Sequence, residues 1–163
     1  MNFRPMRRKD RQTSTESALS ILEKGEYGVL SSVDSAGQPY GVPVSYAFDG
    51  VGRIYFHSAQ EGHKLDNLRA NPRVCFTVVG MTQVMAWKFS TGFESVIAFG
   101  TATEVEGDEK RLGLHLLAAK YNPGEEAAGE AYIDKLFDVT QVVCIRVEHL
   151  TGKERAYQPP TET

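Results

Sequence analysis

A chain of 163 residues with 41% hydrophobic and 24% charged positions has the make-up of one globular domain with a core of its own. Its net charge of −3 gives no global field for nucleic acid. No apolar run is long enough to cross a bilayer, and no apolar segment follows the basic start as in a secretory signal, so no membrane association and a cytoplasmic location are expected.

In chain order, Arg4, Arg7, Arg8, Lys9 and Arg11 form a solvated basic arm over residues 1–12. Thr13 and Glu16 stand at capping-box spacing before a short helix whose apolar stripe is Ala18, Ile21 and Leu22, ended by Gly25. The pattern then changes to strands. Tyr27–Val33 is followed by a turn at 34–37, a second strand over Tyr40–Phe48, a turn at 49–52, and a third strand over Arg53–His57. A short helix carries Leu65 and Leu68 inward and stops at Asn71-Pro72, because a residue before proline avoids the helical region.

Val74–Val79 is the fourth strand, while Gly80–Gly92 has no clear period. Phe93–Val105 is a long fifth strand, bent near Gly100. Asp108 caps a helix running to about Lys120, with Leu112, Leu116 and Ala119 on one face. Residues 122–130 read as loop, Tyr132–Phe137 as a short helix, Val142–Leu150 as the sixth strand, and 156–163 as a flexible tail. Six antiparallel strands with inserted helices suggest a mainly β (α+β) domain closed into a barrel, which removes unpaired edges; a two-layer α+β sandwich is the rival. Cys75 and Cys144 lie in apolar stretches and read as buried reduced thiols, and no metal-ligand spacing occurs.

The densest polar run is Tyr55–Lys64, where a strand ends and a helix begins. A helix N-terminus presents free N–H groups and the positive end of its dipole to anions. Ser58, His63 and Lys64 add donors, and Gly62 lets the backbone approach a ligand. Two accounts fit these residues: a phosphate cradle, or a capped helix start with solvated His63 and Lys64. Trp87 and Phe89 fit an aromatic lid or packing beneath their loop. His115 and His149 have no nearby nucleophile or ligand partner and read as structural or exposed.

The opening MRRKDR, the strand GQPYGVPVSY, YFHSA followed by G-x-K-L, then NPRVCF, ESVIAFGTA and TGKER occur in an order that resembles one family over nearly the whole chain. It is the pyridoxamine 5′-phosphate oxidase-like family of split-barrel flavoproteins, and within it the 5-nitroimidazole-resistance (Nim-type) branch. The resemblance implies a six-stranded split barrel with FMN at the interface of a homodimer. It implies that the backbone of Val42, Pro43, Val44, Ser45 and Tyr46 flanks the flavin ring. His57, Ser58 and Ala59 line the ring and ribityl chain, and His63 and Lys64 hold the phosphate.

The oxidase has an arginine where His63 stands, so FMN affinity here is expected to be weaker or more pH-dependent. Ser95 matches a position that reaches the flavin, although a plain strand-start hydroxyl explains it equally well. His57 is the candidate proton donor or substrate contact. The implied activity is electron transfer to a small, flat acceptor such as a nitroaromatic. Rivals are a redox carrier or sensor without its own substrate, and a barrel holding a deazaflavin or haem. Thr151–Arg155 matches the oxidase's substrate arm poorly, so oxidation of pyridoxamine phosphate is not expected; Lys153 and Arg155 fit a solvated terminus or an approach from a partner subunit.

Overall fold

A computed structural model of the chain describes residues 3–160. Helix α1 (Thr15–Lys24) leads into β1 (Gly28–Val33), β2 (Pro39–Val44), β3 (Ala47–Phe48) and β4 (Arg53–Ser58). Helix α2 (His63–Ala70) precedes β5 (Arg73–Met85) and β6 (Ser90–Val105). Helices α3 (Gly107–Tyr121) and α4 (Glu126–Leu136) precede β7 (Gln141–Arg155). All strand pairs are antiparallel, in the order β2-β1-β5-β6-β7-β4-β3.

There are seven strands rather than six, because the expected second strand splits at Ser45-Tyr46. Its halves lie at opposite edges of the sheet. The ladder itself is open, yet two residues of continuous chain join its edges. The sheet must therefore curl until those edges are within roughly 10 Å, three residues of extended chain. The curled sheet encloses the main core, which includes Leu22, Leu30, Tyr46, Phe56, Phe76 and Ile145, each with 0% exposure. Alternation along β1 places Gly28, Leu30 and Ser32 inward. Strand β4 is buried on both faces. Ile54 and Phe56 enter the barrel, while Tyr55 joins Val142 and Cys144 in a second cluster with α3 residues Leu114 and Leu116.

Several local expectations are corrected. The α1 cap is Ser14, whose Oγ accepts from Ser17 N–H at 3.1 Å, not Thr13. The α3 cap position is Glu106 rather than Asp108, and the helix buries Lys110, Gly113 and Leu117 while Leu112 is exposed. Several sides of α3 are apolar, so the stripe does not choose the contact face. Gly113 does: a Cβ there would stand 2.9 Å from both Tyr55 and Val142, so only this residue allows the close approach.

Residues 80–92 extend the β5–β6 hairpin through a 3-10 turn at Ala86–Lys88. At its tip Trp87 packs edge-on to Tyr157 at 5.9 Å and Phe89 is fully exposed, so neither is packed beneath a loop. Helix α4 starts at Glu126, inside the expected loop. Strand β7 runs to Arg155, so Lys153 and Arg155 are strand residues opposite Ser95 and Phe93. In the described part of the arm Arg4, Arg7 and Lys9 are exposed as expected, while Phe3 stacks on His149 at 4.6 Å and Gln12 bridges to Lys153. The expected tail falls partly outside the described residues; within them, Gln158 N–H donates to Met85 Sδ at 3.3 Å. Both cysteines are free thiols, and burial is the main cause that raises the pKa of each. No described helix is long and apolar enough to cross a membrane.

Candidate functional site

Strand β4 ends at Ser58, and the chain turns through 59–62 into α2. Gly62 is the N-cap of α2 with φ 136°, a conformation that favours glycine, and open space surrounds the position a Cβ would take. Its carbonyl accepts from Leu65 and Asp66 N–H. The turn is braced from three sides. Gln60 Nε2 donates to the Asp138 carbonyl at 2.5 Å. Arg69 forms a two-pronged bridge to Glu104 at 2.7 and 2.9 Å and reaches the Gln60 carbonyl at 3.3 Å. Asn67 Nδ2, buried, donates to Ser32 Oγ at 3.1 Å and ties α2 to β1. A fork-shaped guanidinium contact of this kind fixes orientation as well as distance.

On this frame stand His63, exposed, and Lys64, half-buried. The His63 ring lies against Tyr40 of β2 with centroids 4.1 Å apart. Two cationic or potentially cationic side chains at the positive end of α2, with room at Gly62, form a donor set suited to a phosphate. Ser58 contributes less than its hydroxyl suggests: it is nearly buried, and its Oγ donates to the Ala59 carbonyl at 2.7 Å. Ala59 is exposed at the turn.

Along β2, Val42 and Val44 pack toward the core while Pro43 faces out. Proline has no N–H to give a ladder, so Pro39 and Pro43 set the odd-numbered positions toward the free edge, away from β1. Gly41 thus offers its N–H and carbonyl at that edge. Tyr46 is different. Its side chain is fully buried, edge-on to Phe76 at 5.0 Å, and its hydroxyl donates to the Leu22 carbonyl. Its N–H donates to Tyr121 Oη at 2.9 Å, and the Tyr121 hydroxyl is within donating distance of the carbonyls of Glu26 (2.5 Å) and Tyr46 (3.0 Å). Lys120 caps the arrangement with Nζ 3.9 Å from the Tyr46 ring centroid and 2.6 Å from the Gly25 carbonyl. Burial raises the Tyr46 pKa, and the neighbouring Tyr121 raises it further.

Ser45 and His57 face a cleft of about 710 Å³ between the barrel, α3 and α4. His57 keeps solvent access at the cleft, but the groups around its ring remove part of its hydration. Desolvation first, and the Lys64 charge second, lower its pKa, so the neutral imidazole prevails at pH 7. Helix α4 forms the outer wall. It is latched to α3 by Arg111, 2.7 Å from Glu130 and 2.9 Å from Asp134, and by His115, 2.7 Å from Glu130. Tyr121 and the α4 wall had no functional signal in the sequence, and Tyr40 entered only as part of the GQPYGVPVSY strand: Tyr121 is an isolated tyrosine, and α4 begins in a glycine-bearing stretch.

Ser95 is not gathered with the others. It stands on the outer face of β6, opposite Val79 and Lys153, whereas His57 lies opposite Val142. Eleven residues of β7 separate these registers, roughly 35 Å of strand.

A family model described as pyridoxamine 5′-phosphate oxidase matches residues 14–154, nearly all of the chain. The chain belongs to the pyridoxamine 5′-phosphate oxidase family. Solved structures share its split-barrel fold. One is described as a candidate 5-nitroimidazole antibiotic resistance protein from Bacteroides thetaiotaomicron VPI-5482, with 24% identity, coverage of 86% of this chain and 83% of that one, and a TM-score of 0.70. A FAD-binding protein from Mesorhizobium loti is 25% identical, with 90% and 98% coverage and a TM-score of 0.63. A FAD- and haem-binding protein from Mycobacterium smegmatis is 19% identical, with 93% and 77% coverage and a TM-score of 0.79. No curated protein matches the chain.

Proposed function

We propose that this family member binds FMN and passes electrons from it to a small, flat acceptor of the nitroaromatic kind. The observation that carries the reading is the Gly62–Lys64 corner, with its open backbone, His63, Lys64 and helix dipole beside the free edge of β2. Family membership and similar structures described as FAD-binding favour a flavin ligand. When bound, the flavin supplies the two-electron chemistry, and the protein supplies binding, orientation and electrostatics.

The chain's own residues divide that work. Lys64 and His63 hold the phosphate, and the β2 edge at Gly41–Ser45 lies along the ring. His57, mostly neutral at pH 7, can donate or accept one hydrogen bond at the ring as a substrate contact; as the candidate proton donor it works through its minor protonated form. A second copy of the chain completes the site. Ser95 can share a ligand with His57 only across a subunit boundary, given their separation along β7. The outer sheet face suits such packing: Val29, Ser31, Thr77, Val79 and Ile97 form an uncharged surface on three adjacent strands.

Titration with FMN, FAD and riboflavin under fluorescence detection, alongside light scattering, tests this reading. FMN is expected to bind about once per subunit of a dimer, and to bind more tightly than riboflavin. A visible spectrum of haem, no quenching by FMN, or a monomer with FMN present would overturn it. Turnover of a nitroaromatic with a reductant separates an enzyme from a carrier.

A further inference from the structure

We infer that the cleft between α3 and α4 is the acceptor's seat, and that it selects uncharged, largely apolar organic molecules over anions. The inference rests on the flavin reading above for its link to electron transfer, but the ligand preference follows from the cleft alone. At about 710 Å³ the cleft has the size of a small-molecule site. Leu117, Ala118 and Tyr121 of α3 form one wall, and Gly129, Tyr132 and Leu136 of α4 the other. Glu125 is the one fully charged residue lining it among those described. Polar groups that can fix an orientation are few: Ser45 and His57 on the barrel side, Asn122 at the end of α3 and Thr140 just before β7.

This lining decides the ligand's charge. A carboxylate or phosphate moved into the cleft would lose hydration, meet no lining cation, and face Glu125. The nearby ammonium groups are engaged elsewhere. Lys120 is held by the Gly25 carbonyl and the Tyr46 ring, and Lys64 is not among the lining residues. A neutral flat molecule carries no such penalty and gains apolar contact on both walls. The same argument excludes a phosphorylated substrate from this cleft.

Gly129 supplies a clean test. A Cβ added there would sit 3.6 Å from the Ala118 Cβ, an ordinary contact, so α3 and α4 meet at this pair and close one end of the cleft, and a longer side chain must extend into the space beside it. Gly129→Leu fills the cleft and also replaces a poor helix former by a good one. Ala118→Trp fills it from the opposite wall. Indole and indole-3-carboxylate, which share a ring system and differ in charge, are titrated by calorimetry into wild type and both variants, with FMN titrated in parallel. Wild type is expected to bind indole at least tenfold more tightly than the carboxylate. Each variant should lose at least tenfold in indole affinity while FMN affinity stays within twofold.

Indole binding unchanged in a folded Gly129→Leu protein, or equal binding of the two probes by wild type, overturns the inference. A parallel loss of FMN affinity also overturns it, because the cleft would then belong to the flavin. Wild type that binds indole selectively but no flavin would sink the flavin reading and leave the ligand preference standing.

Discussion

Two neighbouring places treat polar groups in opposite ways. At the β2–β3 seam every polar group of Tyr46 is taken: its hydroxyl by Leu22, and its N–H and carbonyl by Tyr121. At the α2 start, His63 and Lys64 sit on a well-braced turn with open space above Gly62. The first arrangement holds the sheet in its curl. The second holds a frame rigid while leaving its donors free for something outside the chain. Satisfied groups make structure here, and solvent-facing donors on a rigid support make a candidate site.

The contrast can be broken at either end. The largest effect is expected at the seam. Tyr46→Ala removes a fully buried ring and should cost roughly 3–5 kcal/mol of stability in urea unfolding. A loss below about 1 kcal/mol would show that the seam does not anchor the barrel.

Lys64→Ala should leave stability within about 0.5 kcal/mol of wild type, yet weaken FMN by about 10- to 100-fold, the equivalent of a charge-assisted hydrogen bond of roughly 1.5–3 kcal/mol. Riboflavin, which lacks the phosphate, should bind unchanged. Equal losses for both ligands would remove the phosphate role.

Tyr121→Phe leaves the Tyr46 N–H without its partner and should cost about 1–3 kcal/mol in the same unfolding assay. An unchanged midpoint would mean that water replaces the hydroxyl.

The smallest effect concerns His57. Its folded pKa lies below the ordinary value of 6.5, chiefly through desolvation and then through Lys64. Above pH 6.5 the imidazole is neutral in both states. As pH falls below that, the unfolded chain takes the proton first, so stability declines until the folded pKa is passed. His57→Gln should flatten this decline. In Lys64→Ala the His57 pKa, followed by NMR of the imidazole, should rise only part of the way to 6.5, because the partial desolvation of the ring remains. A wild-type pKa at or above 6.5 would contradict the electrostatics of the site.

Much of the barrel was legible because alternation is strong where one face of a strand is buried, as in β1 and the first half of β5. It failed where that cause is absent. Residues 80–84 of β5 are mostly exposed on both faces, so no period marks them. The break at Ser45-Tyr46 is hidden because β2 and β3 read as one alternating run, and only tertiary closure separates them. The strand-to-helix corner at 58–64 was visible because glycine, histidine and lysine fall together at a boundary. The cleft was not, since its walls come from helices more than forty residues further along the chain, and the first half of α4 falls in the stretch around Gly124 that reads as loop.

The position of β7 has a consequence for how the molecule comes into being. In the sheet β4 pairs only with β3 and β7, so the β3–β4 hairpin joins the rest of the sheet through residues 141–155 alone. During synthesis the first six strands leave the ribosome before the segment that unites them. Contacts between positions about ninety residues apart, such as Tyr55 with Cys144, must then be made across a long closed loop. Loop-closure entropy makes such pairings late and slow. Until the last strand arrives, Tyr55 and Phe56 have no finished shelter, and the nascent chain spends that interval with apolar strand edges exposed to its neighbours.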